Sequence, residues 1–491
     1  MRYVRRKQQR GVALIMVLST LTILSVMLTE FQQDTSAELG SAMSERDAVQ
    51  AEYSARSAIA LTRLVIAAEP TIRQGLGFLL AMMRMENVQI PVWEHADLLL
   101  SVFNDEKSSK EFGATIGGSF AQTKGLGLPG TKFEVVIVDE DSKLNFNYAA
   151  RGTVASGMVV TNQFMSLVRG EQYDRIFDGR DVEGNFKDRR IVCSAIVDWA
   201  DPNADAEPCT PELATAAQTA AEDTFYEGLK RPYARKNAAF DSLEELHLVR
   251  GVDEEFWNTF IDPDPDNPKK RIVTVWGSDK VNINTANGIT LAALVCQYAQ
   301  ASPACSDPIM RAKIVSAIEM VRGFAPGMPI FRGPNSFIKA LSFDPSAAAT
   351  QGAAGAMPDM AQMFFQMMGL PPLQINGAVL KDRIKVKSDI FSVYAKGIVK
   401  SGRRETTTRV HAVIDFRGAP PPGQLHPQQD ELVKAGLLQA AAMTSATAAP
   451  SASAAPSNLP EGMDPALFTP ESIISAFQAS AGGQIIYYRI N

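Results

Sequence analysis

From Val12 to Leu28 the chain runs seventeen residues without a charge, and neither Gly nor Pro interrupts it before Gly40. Such a run predicts one continuous helix at the short end of what spans a bilayer. The helical pattern continues to about Ile66, and residues 65–130 mix helical and Gly-containing stretches without clear chemistry. TKFEVVIVDEDSKLNFN, from Thr131, then alternates and is rich in β-branched residues, which predicts a strand, a turn over Asp139 to Lys143 and a second short extended piece. From about 155 to 372 the pattern is mostly helical, with Pro-rich breaks at 201–211 and 262–268. Two alternating runs around Ser401-Gly402, within residues 373–416, restore a sheet. Residues 417–480 are biased to Ala, Pro and Ser, the composition of a flexible linker with one short helix at 429–443. The strand-like residues 481–491 are expected to return to the same sheet. The order is sheet, helices, sheet: an α+β chain with a large helical insertion.

Charge decides which way the first helix sits. Arg2, Arg5, Arg6, Lys7 and Arg10 crowd the N-terminus and would hold it in the cytoplasm, leaving everything after Glu30 across the membrane. A cleaved secretory signal is also basic and then apolar, but its apolar core is shorter and ends at a small-residue site. Beyond those five residues, 43 basic side chains face 54 acidic ones, a net charge near −11 that argues against a nucleic-acid surface. The chain of 491 residues, 46% hydrophobic and 21% charged, is globular in composition, which excludes a disordered or multi-span protein. The four cysteines form two local pairs, Cys193 with Cys209 and Cys296 with Cys305, which suggest two disulfides in an exported domain and four buried thiols otherwise.

Catalytic signals are weak. GLGLPG at 125–130 satisfies a glycine-rich phosphate motif, but a strand follows where a helix N-terminus is needed. His95, His247, His411 and His426 are scattered, and no nucleophile and base pair can be named, so the chain does not read as an enzyme. VDWADPNADAEPCTPE places Asp201, Asn203, Asp205 and Glu212 at positions 1, 3, 5 and 12 of a calcium-loop pattern. Ala206 stands where the sharp turn wants Gly, so this is no ordinary EF-hand. Asp198, Glu222 and Asp223 could add ligands if the chain folds back, and a solvated acidic loop is the plainer alternative. FDSLEELHLVRGVDEEFWNTF and KVNINTANGITLAALVCQ look like DNA-gripping helical hairpins, but Asp241, Glu244, Glu245, Asp253, Glu254 and Glu255 would repel phosphate. They read as packing units. The Met-rich stretch 357–369 reads as core filler in preference to a partner surface.

QRGVALIMVL at the start, DEDSKLNFN at 139, AIVDWADPNADAE at 195, AEDTFY at 221, YARKNAAFDSLEELHLVRGV at 233, KVNINTA at 280 and SDIFSVYAKG at 388 together resemble the K-type minor pseudopilins of the type II secretion system. The resemblance covers most of the chain. It implies a type IV pilin-like fold, a long N-terminal helix on an antiparallel sheet, with a large inserted all-α domain. It implies a class III leader over 1–11, cut by prepilin peptidase after Gly11, with Val12 the new and methylated N-terminus. Residues 12–66 would be the membrane and filament helix, 67–154 the first part of the head, and 155–372 the insertion. Most pilins carry Glu at the fifth mature position, where burial in an apolar bundle requires a neighbour's ammonium. Here that residue is Met16, consistent with a subunit that has no neighbour above it. The family implies a pseudopilus-capping and priming role beside I-type and J-type minor pseudopilins, the major pseudopilin and an inner-membrane assembly platform. It also implies calcium in the helical region, and a single-pass inner-membrane protein with its C-terminal domain in the periplasm. A minor pilin of a type IV pilus or DNA-uptake system is the alternative.

Overall fold

The computed structural model describes residues 11–75, 77–82, 88–101, 103–104, 130–180, 184–203, 207–209, 224–299, 302–324, 329–342, 365, 367–419 and 482–490. The leader residues 1–10, the glycine-rich 125–129, and almost all of the 357–369 and 417–480 segments lie outside the described residues.

Helix α1 runs unbroken from Val12 to Ala67. Ten strands follow among the described residues: β1 (Thr131–Asp139), β2 (Leu144–Asn145), β3 (Gly179–Arg180), β4 (Phe186–Lys187), β5 (Val273–Thr274), β6 (Val281–Asn282), β7 (Ile384–Lys385), β8 (Ile390–Ser401), β9 (Arg404–Asp415) and β10 (Gln484–Ile490). β1, β8, β9 and β10, in that order, form one antiparallel sheet. The last strand does lie in the sheet, paired with β9 across a bulge between Ile485 and Tyr487. β8 and β9 are joined by the two-residue turn Gly402-Arg403, whose first position has φ +63°, a conformation glycine takes without strain.

The C-terminal half of α1 lies on this sheet. Ala51, Ser54, Ala55, Ala58, Ile59, Thr62 and Ile66 recur at helical spacing on the buried face, and their small size lets the helix sit close. The approach is closest at Gly397 of β8, where a Cβ would fall 1.8 Å from the Ala51 carbonyl oxygen. Asp47 is buried at the same seam and accepts from Arg46 (2.8 Å) and from Arg404 of β9 (2.9 Å). Those two guanidiniums, Arg46 first, hold its carboxyl below the usual carboxylate range. Trp93 packs on Phe391, ring centroids 4.6 Å apart, to close the head core.

Between β1 and β8 the chain makes the helical insertion, with α2 (Val154–Leu167), α3 (Arg189–Ala200), α4 (Gly288–Tyr298) and α5 (Pro308–Phe324) as its longer helices. Their starts are capped as the sequence dictates: Thr153 and Ser156 form a capping box, Asp188 accepts from Ile191 N–H and Asn287 from Thr290 N–H. Phe164, Phe177, Phe256 and Phe260 fill a shared core that also takes Leu144, Phe146, Leu373, Leu380 and Ile384. The core of the insertion therefore draws on residues from Leu144 to Ile384. Short pieces such as β2 with β5 and β6 with β7 pair within it. The segment from Phe240 forms a 3-10 turn (Leu243–Leu248) and a π turn (Trp257–Ile261), because acidic caps and a Gly251 at φ +78° break it before an α-helix can extend.

Gly397→Ala is expected to lift α1 off the sheet, at an overpacking penalty of about 3 kcal/mol. Gly323→Ala, in α5 with open space around it, should be neutral or stabilising. Equal denaturant midpoints for the two variants would show that α1 is not held at contact distance.

Candidate functional site

Two regions combine unusual exposure or unusual burial: the bare half of α1, and the point where the chain leaves and re-enters the sheet. Every residue from Gly11 to Arg46 is exposed, including Leu14 (63%), Ile15 (67%), Met16 (62%) and Leu24 (64%). The helix is long and apolar enough to cross a membrane by length and composition. Its hydroxyls do not spoil that surface, because Ser19, Thr20, Thr22 and Thr29 each donate to a carbonyl three or four residues back. Gly11 sits at the start of the helix, with Val12 its first residue.

At the junction, four consecutive-turn residues carry charge where charge is expensive. Asp139, Glu140, Asp141 and Lys143 are 6%, 1%, 1% and 2% exposed. Asp139 ends β1 and accepts from Asp141 N–H (2.9 Å), the Thr285 hydroxyl (2.5 Å) and the Ser388 hydroxyl. Asp141 accepts from the N–H groups of Asp389 (2.8 Å) and Ile390 (3.3 Å), from Ser278 (3.1 Å), and from the Lys385 ammonium (2.7 Å). Glu140 pairs with Lys143 (3.0 Å) and accepts from Thr274 (2.6 Å). The outgoing and returning chains are thus tied together by carboxylates.

Burial, and then the neighbouring Asp141 charge, push the Asp139 carboxyl up to about 7. Burial would also raise Glu140, but the Lys143 ammonium and its hydroxyl donors hold it below the usual range. On the face of the sheet toward the insertion, His411 stacks on Tyr394 at 4.1 Å and meets Trp276 and Tyr487, and burial pushes its imidazole down to about 4. The DEDSKLN run was legible in the sequence as a turn after a strand. Its burial was not, since nothing local distinguishes a buried acidic turn from a solvated one.

The structure bonds Cys193 to Cys209 and Cys296 to Cys305. The first bridge ties α3 to the acidic loop beside it. There Asp198 accepts from Ser194 Oγ (2.8 Å) and from Glu207 N–H (2.8 Å), and Asp201 accepts from the Asn203 amide (2.7 Å). Burial pushes Asp198 up to about 7 and also raises Glu207, with Asp201 adding to both. Glu207 is a neighbour the sequence reading did not single out. Asp205, Glu212, Glu222 and Asp223 lie outside the described residues. The donors present are all hard oxygens, the chemistry calcium takes, although no three acidic, His or Cys groups converge on one point among the described residues. His95 is exposed, His247 stacks on Trp257, and His426 lies outside the described residues.

A long exposed apolar helix seated by its other half on an antiparallel sheet, with a helical domain inserted into that sheet, is a pilin-like arrangement, and the exposed half fits a single-pass membrane anchor. Residues 167–261, from the end of α2 to the π turn, match the family model described as type II secretion system (T2SS), protein K. That stretch of the chain is similar to protein K of the type II secretion system, and α1 fits a single-pass membrane anchor by length and composition. No curated protein matches the chain. Among solved structures, a chain of the GspK-GspI-GspJ complex from the enterotoxigenic Escherichia coli type 2 secretion system is similar at 15% identity and a TM-score of 0.33. The match covers 59% of this chain and 76% of that one.

The junction's pH response follows from these directions. Asp139, with its folded pKa raised, contributes stability that is present below its unfolded value near 3.8 and is lost as pH rises through about 7. His411 acts oppositely, its contribution present above 6.5 and lost as pH falls toward 4. Asp139→Asn should therefore gain thermal stability relative to the native chain as pH is raised from 4 to 7. A constant difference across that range would show that Asp139 does not titrate there.

Proposed function

We propose that this chain is a minor pseudopilin that caps the tip of the secretion pseudopilus and primes its assembly, supporting export of folded proteins across the outer membrane. The observation that carries this reading is the contrast within α1: one half seated on the sheet, the other exposed on all sides, uncharged and largely apolar over Val12–Leu28. A bare apolar helix of that length has two stable environments, a bilayer and a bundle of like helices. Met16, in place of the buried acid that other pilins pair with a neighbour's terminus, removes the need for a subunit above it. The role is structural, not enzymatic. Its partners on this reading are I-type and J-type minor pseudopilins, the major pseudopilin, the inner-membrane assembly platform and prepilin peptidase. The domain after α1 lies in the periplasm.

Processing tests the reading directly. Intact mass should show loss of residues 1–11 only when a prepilin peptidase is co-expressed, and Gly11→Ala should abolish or strongly slow the cut. A full-length mass in every sample would leave an anchored protein outside the pilin pathway.

We also propose calcium as a structural cation, held by Asp198, Asp201 and Asn203 with Asp205, Glu222 and Asp223. A cation bound only by the folded state raises stability, by about 2.7 kcal/mol at a hundredfold excess over its Kd. Thermal melts should rise by several degrees between chelator and saturating calcium, whereas an unmoved midpoint removes the cation from the account.

A further inference from the structure

The β8–β9 hairpin descends along α1 toward its apolar half. Gly397 lies at Ala51, Thr408 reaches the Ala48 carbonyl (3.5 Å), and Arg404 reaches Asp47 (2.9 Å) and the Gly40 carbonyl (3.5 Å). The turn beyond these contacts therefore points at the membrane end of the molecule. Its sequence is Lys400-Ser-Gly-Arg403-Arg404, with all three cations exposed and Glu405 beside Lys400 (3.2 Å). Arg46, 57% exposed in its side chain, adds a fourth cation at the same level and shares Asp47 with Arg404, so four cations face two acids there and the tip keeps a net positive charge.

Distance permits contact with lipid. Twelve residues separate Leu28 from Gly40, about 18 Å at the helical rise, and the polar layer of a bilayer fills about 5–7 Å of that. The turn residues Gly402 and Arg403 project about one strand rise, about 3.3 Å, beyond the Ser401–Arg404 pair. The Lys400 and Arg403 side chains, with a helix tilt of about 20°, close the remainder. The tilt has a preferred direction. Glu30, Asp34, Glu38 and Glu45 are exposed on one flank of α1, roughly 135° round the helix from Gly40 and Asp47. Leaning toward the hairpin lowers the cations to the membrane and lifts the carboxylates away.

We propose that, while the protein resides in the membrane, the Lys400–Arg404 hairpin tip binds anionic phospholipid headgroups of the leaflet beneath the head and fixes the head's orientation. This goes beyond the secretion role and rests only on α1 as a membrane span. The partner is committed by charge and by tether: the same chain holds this basic tip just above a surface of phosphates.

The full chain, carrying Ser401→Cys labelled with a fluorophore, is placed in nanodiscs of phosphatidylcholine alone or of a mixture rich in phosphatidylglycerol, each with a spin-labelled headgroup lipid as quencher. The four native cysteines are held in disulfides and leave the label site-specific. Quenching should be several-fold stronger with phosphatidylglycerol, fall with Lys400→Gln/Arg403→Gln, and fade at about 1 M salt, where screening acts within about 3 Å. A label at Lys269→Cys in the insertion should stay unquenched in both lipids. Equal quenching in the two lipids, or quenching untouched by the double substitution, overturns the proposal. So does a signal that follows the protein-to-lipid ratio instead of the lipid, which would place the tip against another protein head.

Discussion

A chain that interrupts a sheet to build a domain of about 250 residues must leave and return at neighbouring points, and here that constraint is met by two buried carboxylates. Asp139 closes β1 and Asp141 gathers the backbone N–H groups that open β8, so departure and return share one set of hydrogen bonds. Without them, β1 and β8 would still pair along their length, but the points where the chain leaves and re-enters the sheet would lose their shared hydrogen bonds, leaving such contacts as Arg271 with Tyr394 to hold the insertion to the head. Burying this much charge is tolerated because each acid has several donors and Lys143 and Lys385 supply countercharge.

The two halves of α1 are built for different neighbours. The half on the sheet uses small residues and Gly397 to bring helix and strand to backbone contact, and buries a single charge, Asp47, with cations from both sides. The outer half presents branched and linear apolar chains, and its Ser19, Thr20, Thr22 and Thr29 hydroxyls donate to carbonyls of the preceding turn. Such a surface is indifferent to whether lipid or another helix covers it.

Joining these two regions is the sheet itself. One face receives α1, and the other meets the insertion through Tyr394, His411, Trp276 and Tyr487, an aromatic contact that draws β10 into place from the far end of the chain. The insertion thus meets the anchor-bearing head through packed rings and the carboxylate clasp.

The helical span and the strands of the sheet were legible from the sequence alone, because each is a local matter of periodicity. The seventeen-residue uncharged run, the alternation in Thr131–Asp139 and the Ser401-Gly402 turn carry that information within a few residues. The sequence could also show that the acidic loop at 198–223 has oxygen donors. What only the tertiary structure decided is where charge is buried. The DEDSKLN turn reads as solvated until Thr274, Thr285, Lys385 and Ser388, all more than 120 residues away, are brought around it. The same holds for Gly397, whose need for no side chain is set by a helix some 350 residues earlier, and for the seat of β10. Contacts between distant segments depend on the path of the whole chain, and no local pattern of residues records that path.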